Sequence, residues 1–157
     1  MNKFLSFTIV FLLLIGCSKS KNALNESKTT ATKKSKNASL ISVGSGGGIT
    51  GDYNGYMISS KGQGYVWTQE LRQELEVEPL FNTTSDSVNI WFMRLAAMEI
   101  EKVNYNKPGN FSFFIELVKP DTTYKITWSN QNKTPASWGL FYSDFTEYFR
   151  TKESIEK

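Results

Sequence analysis

Histidine is absent from the 157 residues, and cysteine occurs once, at Cys17. Without histidine there is no Ser-His-Asp or Cys-His catalytic unit and no imidazole, the commonest transition-metal ligand. A lone cysteine cannot be half of an internal disulfide. Long apolar runs are missing as well. The one stretch that qualifies, Phe4 to Ile15, is shorter than the ~20 residues a membrane-spanning helix needs, and polar residues crowd in after Cys17. What remains for catalysis is carboxylate chemistry, which needs an Asp/Glu pair across a cleft. Glu74, Glu76 and Glu78 share one face of a candidate strand, where like charges are solvated. Glu99 and Glu101 close a candidate helix, and Asp52 and Asp86 fit no calcium loop. The expectation is a non-enzyme without metal or cofactor, with a carboxylate-dependent hydrolase as a remote alternative.

What is present begins with an address. Asn2 and Lys3 give a short positive start, the apolar run follows, and Gly16 precedes Cys17. These are the parts of a secretory signal. Leu14-Ile15-Gly16-Cys17 resembles the lipobox of bacterial lipoproteins. The resemblance implies cleavage between Gly16 and Cys17, lipidation of the Cys17 sulfur and acylation of the new amino group. Two or three acyl chains give stable membrane anchoring, at about 0.8 kcal/mol per buried CH₂. Ser18 stands where an Asp would resemble the inner-membrane retention signal, and no acidic cluster follows Cys17 as in surface-exported lipoproteins. In a Gram-negative cell the expected location is therefore the periplasmic side of the outer membrane.

From Ser18 to Ala38 the chain is Lys, Ser, Thr and Asn with almost nothing apolar, which cannot offset the entropy of ordering. Residues 17–38 thus read as a lipidated cysteine and a tether, with a flexible reach of about 25 Å. The tether carries six lysines and one glutamate, whereas residues 39–157 hold 11 basic and 14 acidic residues. The overall charge of +3 comes from the stalk, and the remainder is acidic. The basic balance is therefore no pointer to nucleic acid, and none is expected as a partner; it suits a lysine stalk lying near anionic headgroups, or a merely solubilising spacer.

Residues 39–157 suit one domain with one core. Ser39 to Val43 alternates as a strand and Gly44 to Gly48 is expected to break it. Residues 52–69 read as a hairpin turning at Lys61-Gly62-Gln63-Gly64. Leu71 to Phe81 favours a strand, placed at a sheet edge by Pro79. A helix starts near Ser85-Asp86, with Val88, Trp91, Phe92, Leu95, Met98 and Ile100 as its apolar stripe. Phe111 to Val118 and Tyr124 to Trp128 form a second hairpin, and Pro135 opens a last helix carrying Trp138, Phe141, Phe145 and Phe149. The order β-β-β-(β)-α-β-β-α predicts an α+β fold: an antiparallel sheet with two helices on one face.

Gly46-Gly47-Gly48-Ile49-Thr50-Gly51 spells G-x-G-x-x-G after a strand. A dinucleotide site needs those glycines to open a helix, but Asp52 to Ile58 is a poor helix and a fair strand. The glycines instead read as positions needing positive φ or close strand approach. Trp91, Trp128 and Trp138 fall on stripes that a small domain must bury. Tyr53, Tyr56, Tyr65 and Tyr105 lie near turns and are expected to be exposed.

Ile41 to Gly51, Asn106-Lys107-Pro108-Gly109-Asn110 and Lys125-Ile126-Thr127-Trp128, with the lipobox, resemble small Bacteroidota lipoproteins of unknown function. Ile49 stands where those carry an aromatic residue. A fainter likeness, in Gly47-Gly48-Ile49-Thr50-Gly51 and from Pro135 onward, is to emfourin-type inhibitors of thermolysin-like metalloproteases. That likeness implies protease inhibition. The sequence thus points to a membrane-anchored binding or interaction domain with a protein partner in the envelope. Its candidate loop comprises Gly46, Gly47, Gly48, Thr50 and Gly51, with Tyr53 and Tyr56. The alternative is a structural lipoprotein assembling into a larger complex.

Overall fold

The computed structural model describes residues 38–155. The signal peptide, Gly16, Cys17 and the tether as far as Asn37 lie outside the described residues. Six strands form one antiparallel sheet: β1 Leu40–Gly47, β2 Asp52–Ser59, β3 Gln63–Gln69, β4 Glu76–Asn82, β5 Phe111–Val118 and β6 Thr123–Ser129. Their spatial order is β4-β3-β2-β1-β5-β6. Helices α1 (Ser85–Ala97) and α2 (Ala136–Ile155) send their buried side chains into one core with one face of that sheet. The α+β architecture and the order of elements are those the sequence predicts. Among the described residues no helix is long and apolar enough to cross a membrane.

Local chemistry accounts for most boundaries. Thr84 caps α1, its hydroxyl accepting from the Ser87 N–H at 3.4 Å, so one of the free donors of the first turn is satisfied. The stripe does not stay helical to Ile100. Glu99 takes a left-handed φ of 52°, which ends α1, and Ile100 is buried instead from a short 3₁₀ turn, Ile100–Lys102. Pro79 sits in β4 at the sheet edge, where its missing N–H breaks no ladder. The opposite edge, β6, is covered: Lys107 donates to the Thr127 carbonyl and Thr127 to that of Tyr105.

The helix-covered face is an aromatic core. Phe141, Phe145 and Phe149 are wholly buried, and they stack along α2 with ring centroids 5.8 Å and 4.9 Å apart. Their i, i+4 spacing puts them in one line down the helix, above Ile41 and Val43 of β1 and Ile115 of β5. Each such burial contributes roughly 1.5–3 kcal/mol. Trp91 of α1 meets Phe141 and Phe145 edge-on. Arg94 closes the helix pair from outside, lying over Trp91 and Phe141 and bonding Asp144 at 2.7 Å. Ala38, the last residue of the expected tether, is already buried.

Candidate functional site

Two surfaces stand out, one anticipated by the sequence and one not. The first is the glycine-rich segment, and the structure divides it. Gly44 to Gly47 do not break β1 but continue it, in register with β2 and β5 as far as Gly47 opposite Asp52 and Phe111. The strand persists because neighbours on both sides bond its backbone, which overrides the weak strand preference of glycine. Only Gly48 to Gly51 turn. Gly48 and Gly51 both have φ of +73°, the left-handed region open to glycine. Between them Ile49 is 102% exposed and Thr50 also faces solvent.

That turn is tied down on three sides. The Gly48 N–H donates to the Asn110 carbonyl, and the Asp52 N–H reaches the Thr50 hydroxyl at 3.5 Å. The Leu71 N–H donates to the Asp52 carboxylate at 3.1 Å, bringing the following loop alongside, with Leu71 against Gly51. Leu71, beside Gly51, and Phe111, opposite Gly47, are also exposed apolar side chains at this end of the sheet.

Strand alternation separates the tyrosines grouped with this loop. Tyr56 pairs with Val43 and Val66 on the helix side, half-buried and stacked on Phe149 at 4.9 Å, so it is a core residue and no part of the turn. Tyr105 is half-buried edge-on to Trp138, and Tyr65 is half-buried in β3. Tyr53 lies on the opposite, uncovered face.

That uncovered face is the second surface. Val77, Trp67, Gly55, Gly44, Phe114 and Thr127 make one row across all six strands. The glycines in its middle leave a flat strip, and the Trp67 and Phe114 rings fold inward over it, meeting at 5.7 Å. A Cβ on Gly44 would stand 2.4 Å from Trp67 Cζ2 and 2.7 Å from Phe114 Cζ. Gly44 and Gly55 are therefore seats for aromatic rings. Both rings are more than nine-tenths buried although, among the described residues, no helix covers them.

Above this floor lies a groove of about 650 Å³, with Tyr53 and Gln69 on one side and Asn106 and Pro108 on the other. A smaller depression of about 330 Å³ adjoins it, lined by Leu40, Met57 and Leu75, and the two share Trp67, Phe114 and Lys125. The Lys125 ammonium stands 3.8 Å from the Phe114 ring centroid and 4.0 Å from Glu116. Among the described residues the buried Trp67 indole N–H has no hydrogen-bond partner, a state that costs about 1–3 kcal/mol in a buried donor. Among the described residues Glu116 is the one carboxylate lining either depression, and it has no Asp/Glu partner there of the kind a glycosidase mechanism uses. Glu74 precedes β4, while Glu76 and Glu78 are exposed within it.

Elsewhere several charged side chains pair with one another. Glu99 pairs with Lys102 at 2.6 Å. Glu101 accepts from Lys119 at 2.6 Å, and that hydrogen bond holds the Lys119 pKa above its ordinary value against the opposing desolvation, helped by the attraction of Glu101 and Tyr124. Among the described residues no three acidic side chains gather so as to hold a metal. No protein-family model matches the chain, and no curated protein sequence matches it significantly.

Proposed function

We propose that this chain is a lipid-tethered interaction module of a bacterial envelope, anchored through Cys17 and presenting the Gly48–Gly51 turn to a protein partner. The lipobox-like Leu14-Ile15-Gly16-Cys17 supports the anchor. The observation that carries the presentation is the direction of β1. The chain enters that strand at Leu40 and leaves it at Gly47, so the turn and the point where the described chain joins the sheet lie at opposite ends, about 26 Å apart at ~3.3 Å per residue. An apolar side chain held fully in solvent on a tied, convex turn is suited to a partner with an apolar recess. Exposed Asp52 and Glu70 beside it favour a basic rim on that recess. A protease cleft is one such recess, in keeping with the likeness to emfourin-type inhibitors.

The test places a photoreactive residue at position 49 of the lipidated protein in intact envelopes. One partner should cross-link there, and Ile49→Asp should weaken its binding at least about tenfold, or 1.4 kcal/mol. Folding should stay within about 0.5 kcal/mol, because the side chain is exposed. A protease as the partner supports inhibition.

The second reading, assembly into a larger complex, is favoured by Ile90 and Met93 on α1 and Leu140 on α2, each more than half exposed. Cross-linking from positions 90 or 140 to one stoichiometric partner, with none from 49, would replace the first reading by this one.

A further inference from the structure

The uncovered face of the sheet is a second site, independent of the turn. We infer that the groove above Trp67 and Phe114 binds a polyhydroxylated, uncharged ligand: a neutral oligosaccharide.

The lining chemistry selects that class. Around the groove stand the side-chain amides of Gln69 and Asn106, the hydroxyls of Tyr53 and Thr127, and the aromatic floor. Amides offer donor and acceptor together, and hydroxyls do the same, which matches a ligand whose own groups are mostly hydroxyls. The ammonium of Lys125 is offset by Glu116 at 4.0 Å, so the site has little net charge to spend on an ion. A phosphate-bearing ligand calls for more cations than this one. An acyl chain calls for an enclosed apolar cavity, and this groove is open and lined mainly by polar side chains.

An extended peptide would gain its affinity by adding to a strand edge. The β6 edge is occupied by Tyr105 to Lys107, and β4 interrupts its own edge with Pro79 between Glu76, Glu78 and Leu80. The Trp67 indole N–H supplies the remaining observation. The ring lines both depressions and its N–H is buried and unpartnered among the described residues, so the resonance of that N–H reports on a ligand settling over the ring. A groove of about 650 Å³ lies within the range of small-ligand sites.

The experiment uses the full lipidated protein in detergent micelles, ¹⁵N-labelled, and follows the Trp67 indole N–H resonance, assigned by its loss in Trp67→Phe. The probes are neutral β-glucan, N-acetylglucosamine and α-mannan tetrasaccharides, with a tetra-alanine peptide and inorganic phosphate for comparison. At least one tetrasaccharide should shift that resonance saturably at concentrations up to about 10 mM, above the millimolar range of weak recognition.

Gln69→Ala and Asn106→Ala alter exposed side chains and should each weaken the response several-fold while leaving the other indole resonances in place. Ile49→Asp should leave it unchanged, which keeps this inference separate from the reading of the turn. A Trp67 shift with the peptide or phosphate and with no saccharide overturns the inference. So does no shift with any probe, or a saccharide response that both groove variants retain in full.

Discussion

The two faces of this sheet solve the same problem by different means. On the covered face, side chains from β1, β2 and β5 are buried by another layer, the α2 line of Phe141, Phe145 and Phe149. On the uncovered face the sheet covers itself, with Trp67 and Phe114 laid over a gap made by Gly44 and Gly55. The first arrangement uses bulk on both sides of an interface. The second uses the absence of side chains, and it leaves a polar groove above the rings. Burial alone therefore does not separate the two faces. What separates them is whether solvent can approach the layer above the buried rings.

The sharpest way to break the comparison is to remove a core ring. Phe145→Ala should cost about 3–5 kcal/mol in equilibrium denaturant unfolding, since Phe145 is fully buried between Phe141, Phe149 and Trp91. The open face should tolerate less added bulk and lose less stability. In Gly55→Ala the new methyl would stand 2.0 Å from the Val43 carbonyl oxygen, a backbone atom that cannot swing aside. About 1–3 kcal/mol should be lost, with a displaced Trp67 indole resonance as its signature.

Gly48→Ala sharpens the same contrast. Its Cβ would meet nothing within 4 Å, so the cost is that of φ +73° alone, about 1–2 kcal/mol, without any change at Trp67. The smallest effect belongs to Lys119 and Glu101, on neither face. A raised lysine pKa contributes stability in full below the unfolded value of about 10.4, and that contribution fades as pH rises through the folded value. Lys119→Met should therefore differ from the parent in thermal melts near neutral pH, and the difference should shrink in strong alkali.

The order and kind of the elements were legible because their signals are local. The alternation of Phe111 to Val118, the 138/141/145/149 stripe and Pro79 at an edge each speak within a few residues. The fate of Gly44 to Gly47 was not legible. Glycine's own preference is weak, and each glycine answers to residues elsewhere in the chain: Gly44 to Trp67 and Phe114, Gly46 to Tyr53 and Gly47 to Asn110. A sign was present in the two-residue spacing of Gly44 and Gly46, which on a strand places both on one face. The groove stayed hidden for the same reason: Tyr53, Gln69, Asn106 and Thr127 meet only through the register of several strands. Tyr56 and Tyr53, three residues apart, were grouped together, but that odd spacing puts them on opposite faces.

The position of β1 has a mechanical corollary. Its eight residues are paired along their whole length to β2 on one side and β5 on the other. A pull arriving through the chain before Leu40 and resisted at the Gly48–Gly51 turn would run along that strand's axis. It would then strain two ladders together in shear, where an edge strand pulled the same way would strain only one. Such a pull would fall on the strand with the longest pairing on both sides, eight residues to each neighbour.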